Sequence, residues 1–294
     1  MSEQKQARFC ILGTQFLAPP LAPGLYVVAT PIGNLKDITV RALQTLAVAD
    51  QILCEDTRQS ARLLDHYLIK TPKLALHEHN ERARTPSLVE KLKNGATLAI
   101  ISDAGTPLVS DPGFPLVRAA REAGVDVFAL PGPSAILAAL ATAGLPTDRF
   151  TFIGFLPVKK MARQSALEDL AMRAETLVFY ESARRLKAVI EAMSRVFGPD
   201  RAASISLELT KKFERTLTGS LAELVQQLEE TPPKGEVVIS VAGAPPRLAD
   251  ENIWMNDLKQ ALNTQPLRSA VAEVTATYGL RRKQVYEAAL KLKS

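Results

Sequence analysis

The sequence predicts two α/β domains followed by a small all-helical unit, and three observations carry that prediction. Short apolar runs alternate with helix-periodic stretches from residue 25 to 143 and again from residue 150 to 242. A Gly-Leu-Pro-Thr turn at residues 144–147 separates the two halves, and beyond a Pro-containing linker at residues 244–252 the pattern is helical only. The expected divisions are a flexible leader 1–22, a first α/β domain 23–146, a second α/β domain 147–245 and a helical domain 246–294. Regular alternation in the first half implies a mainly parallel, doubly wound sheet, which receives ligands at the carboxyl ends of its strands.

A chain of 294 residues has room for about two such domains. No apolar run reaches bilayer-spanning length. Residues 9–23, FCILGTQFLAPPLAP, are broken by Thr14, Gln15 and three prolines and read as leader rather than secretion signal. Cys10 and Cys54 form no C-x-x-C pair and lie near no His cluster, which argues against a structural disulfide or zinc and fits a cytoplasmic protein. The net charge of +5 points to an anionic partner. Most of it is terminal: Arg268, Arg281, Arg282, Lys283, Lys291 and Lys293 stand against Glu273 and Glu287.

Taken in order, LYVVAT at 25–30 is a strand, followed by the loop Pro31-Ile32-Gly33-Asn34-Leu35. Asp37 or Thr39 caps the next helix, with Val40, Leu43, Leu46 and Ala47 on its apolar face. Residues 51–54 form a strand running into Glu55-Asp56-Thr57-Arg58; 59–67 is a helix, 73–76 a strand, and 85–94 a helix closed by Gly95. LAII at 98–101 is a strand apolar on both faces, hence central, and its carboxyl end carries a long Gly- and Pro-rich loop, SDAGTPLVSDPG at 102–113. A helix over 114–123, a strand over 125–130 and Pro131-Gly132-Pro133-Ser134 follow, with Ser134 capping a charge-free helix over 135–143 that belongs to the core or to an interface.

The second half opens with a strand at 150–155 and a basic loop at 157–163 holding Lys159, Lys160 and Arg163. A helix (164–174), a strand (176–180), a helix (182–197), a strand (202–209), a helix (221–228) and a strand (237–242) complete it. The last helices, at 253–262, 267–278 and 281–292, end in a helix-turn-helix form: Ala270, Val271 and Val274 face inward, Gly279 makes the turn, and Val285, Ala289 and Leu290 face inward again. The basic triplet Arg281-Arg282-Lys283 opens the final helix; nucleic-acid contact and a merely solvated basic face both account for it.

TPIGNL, SDAGTPLVSDPG and PGPSA, together with EDTR, YES and ELTKKFE, resemble the tetrapyrrole methylase superfamily over residues 25–292. Within it the set is similar to the bacterial 16S ribosomal RNA ribose 2'-O-methyltransferases that modify a cytidine of the decoding region. The resemblance implies a cytoplasmic homodimer that holds S-adenosylmethionine between two α/β domains and acts on 16S rRNA or the assembled small ribosomal subunit. It maps the cofactor loops onto Pro31, onto Ser102, Asp103, Ala104, Gly105, Thr106 and Leu108, and onto Ser134 and Ala135. In the second domain it maps them near Tyr180 and Glu181 and onto Ala242 and Gly243. The superfamily's Gly-Asp-Pro is here Gly105-Thr106-Pro107, which raises the question whether Asp103 replaces the missing carboxylate.

Methyl transfer from a sulfonium consumes positive charge, so alignment of donor and acceptor outweighs charge stabilisation and backbone loops suffice for much of the site. A ribose hydroxyl is a poor nucleophile, and a base or nearby cation helps it. Candidates at strand ends are Glu181, which is favoured, then Asp56 with Arg58, Asp103, and the group Lys211, Lys212 and Glu214. Lys159, Lys160, Arg163, Lys211, Lys212 and the terminal helices are expected to hold an RNA backbone. His77-Glu78-His79 lacks a third ligand, so no metal is expected, and Gly33 alone is no dinucleotide fingerprint. Two rival readings remain: a porphyrinoid methyltransferase of the same fold, and a nucleic-acid-binding protein that has lost catalysis.

Overall fold

The computed structural model describes residues 7–230, 233, 235–245 and 251–293. Residues 8–17, expected to be part of a flexible leader, instead form a hairpin of β1 (Arg8–Ile11) and β2 (Thr14–Leu17). Leu12 and Gly13 turn it with φ of 49° and 84°, the left-handed pair that matches strand twist. The alternation in this stretch is too short to read without its partner surface: Phe9 is buried against Leu43 and Leu46, and the Cys10 amide donates to the Tyr67 carbonyl. Residues 1–6 of the expected leader lie outside the described residues.

The first sheet comprises β3 (Gly24–Val28), β4 (Gln51–Cys54), β5 (Lys73–Ala75), β6 (Thr97–Ile100) and β7 (Val127–Leu130). Its order is β5-β4-β6-β3-β7 and every pair is parallel, with β6 central and buried along its length. The crossovers are α1 (Val40–Val48), α2 (Thr57–His66), α3 (Glu81–Lys93) and α4 (Phe114–Glu122); α5 (Ala135–Thr142) follows β7. One face of the sheet packs Val28, Ile52 and Ala99 against Leu43, Leu46 and Leu64; the other packs Leu25, Leu53 and Leu98 against Leu88, Leu92 and Leu116. Thr39, not Asp37, caps α1 by accepting from the Ala42 amide. The α3 helix starts at Glu81, one turn earlier than its periodicity suggests.

The second sheet is formed by β8 (Phe150–Phe155), β9 (Thr176–Ser182), β10 (Ala202–Leu207), β11 (Arg215–Ser220) and β12 (Glu236–Val241), with helices α6 (Lys160–Leu170), α7 (Ala183–Phe197) and α8 (Leu221–Glu230). Its order is β11-β10-β12-β9-β8, and only β8 and β9 run parallel. The edge strand β11, RTLTGS, has no apolar run to announce it. Because α6 begins at Lys160, Lys160 and Arg163 sit on a helix rather than in the expected loop.

The two sheets meet through α5. Its apolar face, Ile136, Ala139 and Leu140, packs with Ile32 against Val178 and Val238 of the second sheet and Leu209 just after β10. Leu177, Phe179 and Ile239 point the other way into the core under α7 and α8, as period-2 alternation requires. Burial between the domains accounts for the apolar residues of this face, whereas Leu137 on the opposite face is exposed. Polar contacts join the seam too: the Asn34 amide donates to Thr210 Oγ1 at 3.0 Å.

The last helices, α9 (Glu251–Thr264), α10 (Leu267–Tyr278) and α11 (Arg282–Lys293), share a core of their own. Trp254 and Leu258 join Ala270, Val271, Val274, Val285 and Ala289 in it, and Gly279 turns between α10 and α11 at φ 62°. Leu290, expected inward, is 48% exposed, because the inward stripe of α11 runs through Val285 and Ala289. Linker residues 246–250 lie outside the described residues. Among the described residues no helix is long and apolar enough to cross a membrane.

Candidate functional site

Both sheets point strand ends at one cleft of about 290 Å³. The first domain contributes Ile32, Ala104, Gly105 and Ala135; the second contributes Phe155, Tyr180, Glu181, Ser206, Leu209 and the start of β12, Glu236 to Val238.

Three loops make the first wall. The loop after β3 is zipped to the loop after β6 by reciprocal bonds: the Thr30 amide donates to the Gly105 carbonyl at 2.9 Å, and the Gly105 amide returns one at 3.0 Å. Thr30 Oγ1 donates to the Ser102 carbonyl, and Ser102 Oγ reaches the carbonyls of Ala104 and Gly105. Gly105 is at φ 81°, and a Cβ there would press within 3.3 Å of Ile32. Thr106 Oγ1 ties the third loop in by donating to the Pro133 carbonyl. Ser134 caps α5 and so aims that helix's amino end at the cleft.

Among the residues expected to hold a cofactor, Ala104, Gly105, Ala135 and Tyr180 line the cleft. Ser102, Thr106 and Ser134 support it through the hydrogen bonds above, Pro31 is buried behind it, and Leu108 packs its side chain under the first sheet at φ 74°. Ala242 and Gly243 do not belong to it. Strand β12 runs antiparallel to β9, so its amino end, not its carboxyl end, lies beside Tyr180 and Glu181. Gly243 is instead packed against the Ala174 backbone before β9 begins, and the Ala242 carbonyl accepts from Arg201.

Carboxylates crowd the first-domain side. The Asp103 carboxylate accepts from the Asp56 amide, yet burial chiefly, with the field of Asp56, holds its pKa above the usual value. Glu55 is raised by burial and by Asp103. Asp111 is pushed up to about 6 by burial, then by the charge of Glu55. Tyr180 is raised to about 12 by burial and by Asp111, so its hydroxyl keeps its proton. Among the described residues no group of three or more His, Cys, Asp or Glu is placed to hold a metal.

The catalytic candidates separate clearly. Glu181 is 4% exposed in the cleft wall; its Oε1 accepts from the Ser182 amide at 2.7 Å. Its Oε2 is buried and lies 3.2 Å from Arg185 Nη2 of α7, so the carboxylate is turned toward the helix side of β9. Asp56 caps α2 by accepting from the Arg58 amide, the bond that chiefly lowers its pKa; Arg58 is almost fully exposed, and neither residue lines the cleft. Lys211 is clamped between Glu208 at 3.0 Å and Glu236 at 3.2 Å. Burial depresses its pKa, but the bonds to those carboxylates outweigh burial and hold it above the usual lysine value, so it is a fixed cation and no base.

The basic residues lie outside this wall. Lys159 and Lys160 are exposed at the start of α6, whereas Arg163 is half-buried and donates to the Val158 carbonyl. Arg281, Arg282 and Lys283 are exposed around the start of α11. Sequence reasoning missed Phe155, Ser206, Glu236, Val237 and Val238 as lining residues, and Glu81 as the buried acceptor for the Gly113 amide. The β12 residues become legible only once its antiparallel pairing is known.

A profile of tetrapyrrole (corrin/porphyrin) methylases matches residues 24–225, and one of the RsmI C-terminal HTH domain matches residues 255–293. The chain is 48% identical over 282 residues to ribosomal RNA small subunit methyltransferase I of Mesorhizobium japonicum, covering 95% of this chain and 96% of that protein. It is 47% identical over 268 residues to the protein of the same name from Haemophilus influenzae, covering 90% and 95%. Among solved structures, uroporphyrin-III C-methyl transferase from Thermus thermophilus complexed with S-adenyl homocysteine aligns with a TM-score of 0.53 at 19% identity, covering 74% of this chain and 97% of that one. Diphthine synthase aligns at 0.56 and 16% identity, covering 74% and 89%. These two likenesses establish a shared fold, while the profile and the close relatives establish kinship. The chain belongs to the tetrapyrrole (corrin/porphyrin) methylase family, among the members that carry the RsmI C-terminal domain.

Proposed function

We propose that this protein transfers the methyl group of S-adenosylmethionine to the ribose 2'-hydroxyl of a cytidine in 16S rRNA of the small ribosomal subunit, working as a cytoplasmic homodimer. The observation that carries the reading is a single cleft with two dissimilar sides. One is loop backbone and small side chains, with Asp103 in the same loop; the other carries the carboxylates Glu181 and Glu236 beside the aromatic rings Tyr180 and Phe155. The relatives named ribosomal RNA small subunit methyltransferase I support the choice of RNA.

The first wall suits a cationic cofactor. Glu55, Asp103 and Asp111 are held above their usual values chiefly by burial and then by neighbouring carboxylates, Asp56 in the case of Asp103, a strain that a nearby positive charge relieves. Gly105 keeps the wall free of side chain, and Ala104, Gly105, Ala135 and Tyr180 would hold the cofactor. When bound, S-adenosylmethionine supplies a methyl group on a positively charged sulfur. The protein's work is then alignment and proton management. Glu181 is the carboxylate assigned to take the ribose hydroxyl proton, and Ser182 and Arg185 hold it in place. Lys211, neutralised by Glu208 and Glu236, fixes the Glu236 carboxylate at the cleft wall. Lys159, Lys160, Arg281, Arg282 and Lys283 bind phosphates.

The test is transfer of labelled methyl from S-adenosylmethionine to purified small subunits and to naked 16S RNA from a strain lacking the protein. Label on a ribose 2'-oxygen of one cytidine is expected. Cofactor binding without label on either RNA would overturn the reading in favour of a porphyrinoid acceptor.

A further inference from the structure

The rim of the cleft carries a feature that alignment of cofactor and hydroxyl does not use. Phe155, at the carboxyl end of β8, lines the cleft yet is 60% exposed. Its inner side leans on Tyr180 with ring centroids 5.7 Å apart, and Tyr180 in turn meets Phe152 edge-on at 4.8 Å. The register between β8 and β9 slips between Phe152 and Gly154, with Gly154 at φ 77°. Without that bulge, residues 152 and 155 would point to opposite faces of the strand; with it both rings reach Tyr180. An irregular ladder is thus used to bring a large apolar ring out to the mouth.

Just beyond it come Val158 at 75% exposure, Met161 at 79%, and the exposed cations Lys159 and Lys160. An apolar ring followed by exposed positive charge suits a ligand that is flat and apolar on its faces but anionic along its backbone, which describes single-stranded RNA. Phe213 is exposed too, with Lys212 Nζ 5.5 Å over its ring, but it does not line the cleft.

We infer that Phe155 is a stacking platform for a nucleobase of the RNA substrate, holding the target nucleotide unstacked while its ribose enters the cleft. The inference rests on the proposed RNA methylation and adds the recognition element that presents the hydroxyl. Stacking on an aromatic side chain tolerates any base, so Phe155 sets the unstacked state of the substrate rather than its sequence.

The experiment uses the full-length chain and three probes: a fluorescent decacytidylate, inorganic polyphosphate as a polyanion without bases, and S-adenosylmethionine. Phe155→Ala is expected to weaken decacytidylate binding about tenfold, with Phe155→Trp restoring it, while affinity for polyphosphate stays unchanged and any loss for S-adenosylmethionine is smaller than that for decacytidylate. Equal decacytidylate affinity in Phe155→Ala and wild type would overturn the inference. So would parallel losses for both polyanions, which mark a structural role, or a loss confined to S-adenosylmethionine, which assigns the ring to the cofactor. A change in molecular mass by light scattering with decacytidylate affinity intact would overturn it as well, assigning the ring to a second copy of the chain. If wild type methylates RNA while Phe155→Ala keeps its decacytidylate affinity, the platform alone falls. If wild type transfers no methyl to RNA, the functional reading falls and the platform with it.

Discussion

The Glu81 carboxylate accepts a 2.7 Å hydrogen bond from the amide of Gly113, and both groups are buried. Gly113 stands at φ 114°, and a Cβ there would lie 2.3 Å from Ile100 Cδ1, so the end of the long loop after β6 can be only glycine. One carboxylate at the start of α3 thereby fixes the far end of the loop whose near end, Ala104 and Gly105, forms the cleft wall. Between them Leu108 and Ser110 are held at φ 74° and 67°, conformations that persist only where surrounding contacts over-determine them.

Removing that anchor is expected to loosen the wall. Glu81→Ala leaves the buried Gly113 amide without a partner, a cost of about 1–3 kcal/mol in urea denaturation. S-adenosylmethionine affinity should fall with it in calorimetry, and Glu81→Gln, which keeps an acceptor oxygen, should recover most of both. Unchanged stability and affinity in Glu81→Ala would show that the loop holds itself.

Glu181→Gln separates chemistry from binding. Loss of a general base costs about 10²–10⁴ in kcat, whereas cofactor affinity should stay near wild type because Ser182 still has an oxygen to bond. Single-turnover methyl transfer reads the first and calorimetry the second. A kcat within about threefold of wild type would exclude Glu181 as the proton acceptor.

Asp111 gives a pH signature. Its folded pKa is about 6 against an ordinary 3.8, chiefly through burial. The stability it contributes is therefore fully present below the ordinary value and is lost as pH rises through about 6. Asp111→Asn removes the titration. The variant should be more resistant to urea than wild type at pH 8, with the difference shrinking as pH falls through about 6 and levelling off below about 4. Parallel pH profiles for the two proteins would contradict this.

The triple replacement of Arg281, Arg282 and Lys283 by Ala tests the helical domain as an RNA handle. Each lost phosphate contact removes about 0.7 from the log–log salt slope on single strands. RNA affinity measured across a salt titration should therefore drop and flatten. Retained affinity with an unchanged slope would assign the basic face to solvent.

Much of this site is legible in the chain. The loops after β3, β6 and β7 announce themselves as Gly- and Pro-rich breaks after apolar runs, and the cap at Ser134 is visible from its spacing. Glu181 is legible as a carboxylate at a strand end. Phe155 is not, since an exposed phenylalanine is unremarkable until a bulge brings it onto Tyr180. Ala242 and Gly243 look like a strand-end loop of the first-sheet kind, and one reversed strand sends them to the opposite end.

By itself the sequence determines what depends on neighbours a few residues apart: strands, helices, caps, turns, the parallel first sheet and the helical terminal unit. Local periodicity carries that information because apolar spacing and backbone preference act over single turns and strands. The tertiary structure alone decides what depends on distant pairing. It folds residues 8–17 into a hairpin by giving Phe9 a surface, buries one face of the charge-free α5 against the second sheet, and reverses β12. It also clamps Lys211 between Glu208 and Glu236, turning a mobile lysine into a fixed charge. Strand direction and side-chain partners are set by which surfaces meet in three dimensions, and no stretch of the chain records them.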